Sequence, residues 1–198
     1  MRPVVRRRAR ILLASAGVTM AAIAAPRASA ETINCTPISS LTPDTPAPDL
    51  RYTITTQGIY CLTEDLTSSM GSGNLIEIQT NNVVIDLNGH KIGGLSAGQA
   101  TLTNGIYALQ RQNITVRNGT IRGFYRGIFL DDSSPFTASQ GHVVEGVRAD
   151  QNTFVGLDIK GRGSLVQNNQ VVATGGTTAN GTDSNVFGIF VAVVVLSS

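Results

Sequence analysis

From Tyr52 onward the chain alternates apolar and polar residues over short stretches, each bounded by Gly, Asn, Asp or Ser. Alternation with period two places every second side chain on one face of an extended strand, and no stretch carries the 3.6-residue period of an amphipathic helix. Two kinds of stretch recur. The first opens with Gly or Asn: Asn74-Leu75-Ile76-Glu77-Ile78, Asn104-Gly105-Ile106-Tyr107-Ala108, Arg126-Gly127-Ile128-Phe129-Leu130, Val155-Gly156-Leu157-Asp158-Ile159 and Phe187-Gly188-Ile189-Phe190-Val191. The second lies between these: Asn82–Gly89, Asn113–Gly119, and looser forms over Gly141–Gly146 and Gly163–Asn168. Successive copies of the first kind are 30, 22, 29 and 32 residues apart, and the order of the two kinds never changes. Strands in fixed order with turns of variable length predict a coil that stacks on copies of itself.

Stacking assigns the faces. Ile76, Ile106, Ile128, Leu157 and Ile189 form one inward column, with Ile78, Ala108, Leu130, Ile159 and Val191 beside it, and all ten are apolar. A second inward set is read as Ile85 and Leu87 over Ile114 and Val116. Asn and Gly mark the corners because they tolerate left-handed backbone angles, and stacked Asn side chains can bond along the coil. Crossover helices of ten or more periodic residues are missing, which excludes an alternating α/β fold. A β-sandwich also accommodates short strands and turns, but the repeat order and the apolar columns favour the stacked coil.

The runs Tyr52-Thr53-Ile54-Thr55, Gly58-Ile59-Tyr60-Cys61-Leu62 and Asn82–Ile92 resemble those of exported bacterial right-handed parallel β-helix repeat proteins, in the pectate-lyase-like superfamily. The resemblance covers residues 50–190 and implies an all-β solenoid of about four to five coils. It does not imply one activity, since such scaffolds carry lyases, hydrolases, epimerases and adhesins.

Composition changes the picture at the N-terminus. Residues 1–30 hold six of the fifteen Lys and Arg and no acid, then the apolar run Ile11–Ala25 and the ending Ala28-Ser29-Ala30. This is the grammar of a Sec signal peptide cut before Glu31, with export to the periplasm or the outside. The remainder has nine basic and thirteen acidic side chains, a net charge of −4, which argues against a nucleic-acid partner. Residues 31–51, with Pro37, Pro43, Pro46 and Pro48, read as an extended lead-in or cap, followed by repeats over 52–198. Cys35 and Cys61 are the two cysteines; an even count in an exported chain predicts a disulfide, whereas a zinc site would need more ligands than they and two separated His provide. No later stretch is long enough to span a membrane; Val186–Leu196 falls short. That last run opens a rung at Gly188 but no second-type strand follows, so the coil reads as C-terminally incomplete, the alternative being that 192–196 fold back as a cap.

Candidate chemistry lies on the outward positions of the first strand type. Glu77, Tyr107, Phe129, Asp158 and Phe190 form one column, and Gln79, Leu109, Asp131, Lys160 and Ala192 the next. Tyr107 and Phe129 offer an aromatic shelf, with Asp131, Asp132, Asp158, Lys160 and Arg162 gathered beyond it. Rings beside carboxylates suit a sugar, whose C–H faces pack on rings while its hydroxyls bond to acids. The plainer reading is that the aromatics cover the loop 132–141 and that Asp131–Lys160 is a rim ion pair of small value. Tyr107, Phe129, Asp131, Asp158 and Lys160 are thus the expected ligand-binding set, for a polysaccharide or cell-surface glycan bound without catalysis. The alternative is a lyase or glycoside hydrolase acting on an acidic polysaccharide, with Asp131, Asp132, Asp158, Lys160 and Arg162 as candidate catalytic groups. The adjacent Asp131-Asp132 resembles the acid pair of polygalacturonase-like hydrolases, but Gly-His-Gly, Arg-Ile-Lys and the Asp-Pro-His of alginate epimerases are absent. No cofactor or metal is expected, except Ca²⁺ under the lyase alternative, where three acids supply too few oxygens by themselves. His90 and His142 each follow a corner Gly and read as solvent-exposed turn residues. The sequons at Asn113, Asn118 and Asn180 read as turns, and Gly175–Gly181 as a loop without a phosphate-binding Lys.

Overall fold

A computed structural model describes residues 34–40, 43–44, 50–179 and 186–192. Residues 1–30, expected to be a signal peptide, much of the Pro-rich segment 31–51, Asn180 and residues 193–198 lie outside the described residues.

The alternating stretches become strands that pair only in parallel, each with its counterpart one coil on. A short strand β1 (Thr36–Ile38) precedes the coils. The first coil comprises β2 (Tyr52–Ile54), β3 (Gly58–Leu62) and β4 (Leu66–Thr67). The second comprises β5 (Ser72–Ile78), β6 (Val83–Asp86) and β7 (Lys91–Gly93), and the third β8 (Leu102–Leu109) and β9 (Ile114–Arg122). The fourth is β10 (Arg126–Asp131) and β11 (Val143–Asp150); the fifth is β12 (Val155–Lys160), β13 (Leu165–Gln167) and β14 (Gln170–Val172). Strand β15 (Phe187–Ala192) opens another rung. The Gly-headed strands form one sheet in the order β15-β12-β10-β8-β5-β2, and the other strands a second sheet with β1-β3-β6-β9-β11-β13 as its spine. The chain is therefore a parallel β-solenoid of about five turns; a sandwich would need antiparallel pairs.

The first inward column has the expected register, with Tyr52, Ile76, Ile106, Ile128, Leu157 and Ile189 paired in succession. The second sheet corrects one expectation. Val83 lies over Ile114 and Ile85 over Val116, two residues from the expected match. Corner asparagines set this register: Asn82 and Asn113 both have positive φ, and the Asn113 amide donates to Asn82 Oδ1 at 2.9 Å. A two-residue shift preserves which side chains face inward, so the core is unaffected. The Gly at the head of β8, β10 and β12 also has a cause. A Cβ on Gly105, Gly127 or Gly156 would fall 2.5, 2.6 and 2.6 Å from the carbonyl oxygen of the equivalent Gly one rung on, so the strands approach too closely there for a side chain. At the end of the column Ile189 and Val191 are each 45 % exposed, because among the described residues no opposite strand covers them. Cys35 and Cys61 form the expected disulfide, with Cα atoms 5.8 Å apart, tying the residue before β1 to β3. Among the described residues no helix is long and apolar enough to cross a membrane.

Candidate functional site

The outer face of the Gly-headed sheet carries both expected polar columns in register. Glu77, Tyr107, Phe129, Asp158 and Phe190 are successive partners, and Leu109 pairs with Asp131 while Lys160 pairs with Ala192. The five residues Tyr107, Phe129, Asp131, Asp158 and Lys160 therefore share one face over three rungs. The Tyr107 and Phe129 rings are 5.4 Å apart and tilted by 44°, and Lys160 Nζ lies 2.7 Å from Asp131 Oδ1.

Sequence reasoning passed over Arg126. It heads β10 where the two preceding repeats have Asn74 and Asn104, so it opens a third outward column. Its Nε donates to Asp158 Oδ2 at 3.1 Å on the next rung. Its guanidinium lies 4.4 Å from the Phe129 ring centroid, and 4.9 and 5.2 Å from those of Tyr125 and Phe154, which stack on each other at 4.6 Å. Lys160 Nζ covers Phe129 from 5.1 Å. The shelf thus differs from the one expected: Phe129 is 9 % exposed and packed beneath two cations, while Tyr107 remains half-buried at the surface. The available signal was positional, a cation replacing a ladder Asn one rung from an outward Asp.

The carboxylates are committed. Asp158 is 5 % exposed, and burial pushes its carboxyl above the usual range, outweighing the neighbouring Lys160 and Arg126 charges; its Oδ1 has no partner among the described residues. Burial also raises the Tyr107 phenol, with Asp131 and Glu77 adding to the effect. Asp132 is separated from Asp131 by the strand pleat: it is buried and accepts from the Ser133 and Ser139 amides, pinning the 132–141 loop. Arg162 sits outside the cluster, donating to Thr137 O and Gln140 Oε1. Among the described residues no three His, Cys, Asp or Glu come together in a way that could hold a metal ion.

His142 overturns its expectation. It is fully buried, and its Nδ1 accepts the Ile114 amide at 3.3 Å, so the ring proton is on Nε2 and donates to Ser139 Oγ at 2.7 Å. Ser139 in turn donates to Lys160 O at 3.0 Å. The burial that holds the ring also pushes its pKa down to about 4, opposed by the Asp132 charge. Ser, His and Asp are close here, but the His donates towards the Ser, the reverse of nucleophile activation. His90 is partly exposed, with Nδ1 3.5 Å from Asp65 Oδ1. The corner readings of Asn113 and Asn118 agree with their positive φ.

Beside Tyr107 the face dips into a groove of about 520 Å³, lined by Glu77, Gln79, Tyr107, Gln110 and Arg111 and bordered by Ala138 of the pinned loop. Glu77 accepts from Asn74 and Gln79, and Arg111 Nε is buried without a partner among the described residues. Comparison with protein-family models, with curated proteins and with solved structures gave no match.

Proposed function

We propose that the protein is an exported β-solenoid of the pectate-lyase-like kind it resembles, and that it binds a glycan, without cleaving it, along the outer face of the Gly-headed sheet. The observation that carries this reading is the groove beside Tyr107, where a half-buried ring borders a row of amide, carboxylate and guanidinium groups. A sugar fits such a lining because its ring face packs on an aromatic and its hydroxyls both donate and accept. Catalysis is disfavoured by the same geometry. Asp131 is held by Lys160, Asp158 is enclosed under Arg126, and Asp132 is spent on backbone amides, so among the described residues no free pair of these carboxyls flanks the groove to act as acid and base.

The test is calorimetric titration of purified protein with neutral and uronate-containing oligosaccharides, with and without Ca²⁺, beside an assay for new reducing ends and unsaturated products. Binding without product, weakened roughly tenfold by Tyr107→Ala through lost stacking, is the expected result. Product formation lost in Asp131→Asn would establish the lyase or hydrolase alternative instead, and absence of binding to every glycan would overturn the carbohydrate reading.

A further inference from the structure

We propose that Lys160 and Asp131 condense into an amide that cross-links β12 to β10, with Asp158 as the neighbouring acid that carries the proton. The inference is independent of the glycan reading. Three groups are needed to make an amide from side chains, namely an amine, a carboxyl and a nearby acid that can give and take a proton. All three occupy adjacent positions of one face. Lys160 Nζ lies 2.7 Å from Asp131 Oδ1, with side chains 29 % and 19 % exposed. Asp158 lies two residues before Lys160 on the same face of β12, opposite Phe129. It is buried, and its Oδ1 is unpartnered.

The reaction needs the amine and the acid in their neutral forms. Lys160 sits over the Phe129 ring, and Tyr107 packs against the same ring. Moving the proton from the ammonium to the carboxylate within their hydrogen bond supplies both neutral forms. The freed amine lone pair attacks Asp131 Cγ and forms the C–N bond. Asp158 takes a proton from the nitrogen and passes one to the departing Asp131 oxygen. The C–O bond breaks and water leaves. An ammonium and a carboxylate thus become one amide and one water, with net charge unchanged and no oxidant or reductant involved. The bond would join positions 29 residues apart in sequence and fasten two rungs covalently at the edge of the face.

The experiment is mass spectrometry of the purified full chain after trypsin. Trypsin cuts after a free Lys160 but not after an acylated one, so the linked chain yields a branched peptide joining 127–148 to 149–162, lighter by one water than the two separate peptides. Wild-type protein is expected to give this species. Lys160→Arg, which keeps the charge pair and so the fold, is expected to give none. Asp158→Asn should form the bond roughly a hundredfold more slowly, and Asp158→Glu should restore it. Free Lys160 and Asp131 peptides from the wild type, or a water loss placed elsewhere in the chain, would overturn the cross-link. A bond that forms equally fast in Asp158→Asn would overturn the assignment of Asp158.

Discussion

Arg126→Ala is the change most diagnostic of how the outer face is held. Arg126 donates to Asp158 Oδ2, and the Asp158 side chain is only 7 % exposed in the pair. Removing the guanidinium leaves an enclosed carboxylate, a situation that costs about 3–5 kcal/mol. Lys160 still favours the ionised form, which places the electrostatic loss near the lower end. Uncovering the Phe129, Tyr125 and Phe154 rings adds about 1 kcal/mol, for a total of about 4 kcal/mol at neutral pH. The sign of the pH dependence follows from Asp158. Its carboxyl is raised in the folded protein by burial, so ionisation weakens the folded state, and the stability it contributes is present at low pH and lost as pH rises through the folded value. Without Arg126 that value moves further up, and the variant should regain about 1.4 kcal/mol on the native chain for each pH unit between its folded value and that of the native chain. Urea unfolding followed by far-UV circular dichroism at pH 7 and pH 5, with Asp158→Asn and the double variant, gives the full cycle. The double variant should lie within about 1–2 kcal/mol of wild type at pH 7, since no buried charge is stranded in it. An equal loss at both pH values, together with no recovery in the double variant, would show that Arg126 acts by packing alone.

Three further outcomes are expected. His142 is held neutral down to about pH 4 in the folded protein against 6.5 when unfolded, so its contribution is complete above pH 6.5 and falls by about 1.4 kcal/mol per unit, roughly 3 kcal/mol in all, as pH drops to 4; thermal melts across this range should show a slope that His142→Gln flattens. Replacing Cys35 and Cys61 by Ser opens a closure of 26 residues and should lower stability by about 3 kcal/mol, and an unchanged melting midpoint would refute it. Leu157→Ala, fully buried, should cost about 2–5 kcal/mol, whereas Ile189→Ala, one rung on and 45 % exposed, should cost under about 1 kcal/mol; equal midpoint shifts would contradict the column as drawn.

The fold was legible because a solenoid repeats one local rule. Each coil contributes an apolar pair at the same place, after a Gly in the third coil and beyond, so Ile106, Ile128 and Leu157 could be stacked by counting alone, and parallel pairing follows from the stacking. Counting failed where corners set the match: Asn82 over Asn113 shifts β6 against β9 by two residues, and only the asparagine ladder shows it. The outward columns were legible for the same reason as the core, since face follows from parity. What parity could not supply was depth. Phe129 and Asp158 occupy nominally solvated positions yet are nearly buried, because Arg126 and Lys160 reach across from neighbouring rungs to cover them. His142 was misread for the converse reason: a residue after a corner Gly is exposed only if no loop returns over it, and Ser139 in the 132–141 loop does return.

The distribution of committed charge along the face bears on what kind of ligand the proposed binding would select. Towards the C-terminal rungs the ions are already matched, Arg126 with Asp158 and Lys160 with Asp131. An ionic ligand there must break a pair before it can form one, and the two terms nearly cancel. In the groove the balance differs. Gln79 and Asn74 engage Glu77 with neutral donors, Gln110 lines the wall, and Arg111 brings a guanidinium whose buried Nε is unpartnered among the described residues. Carboxylates and amides retain further lone pairs and N–H groups, so a hydroxyl-rich ligand can add hydrogen bonds without displacing existing ones. Under the proposed glycan binding, recognition would concentrate at Tyr107 and the groove, with the Tyr107 ring packed against Phe129 of the paired rungs beside it.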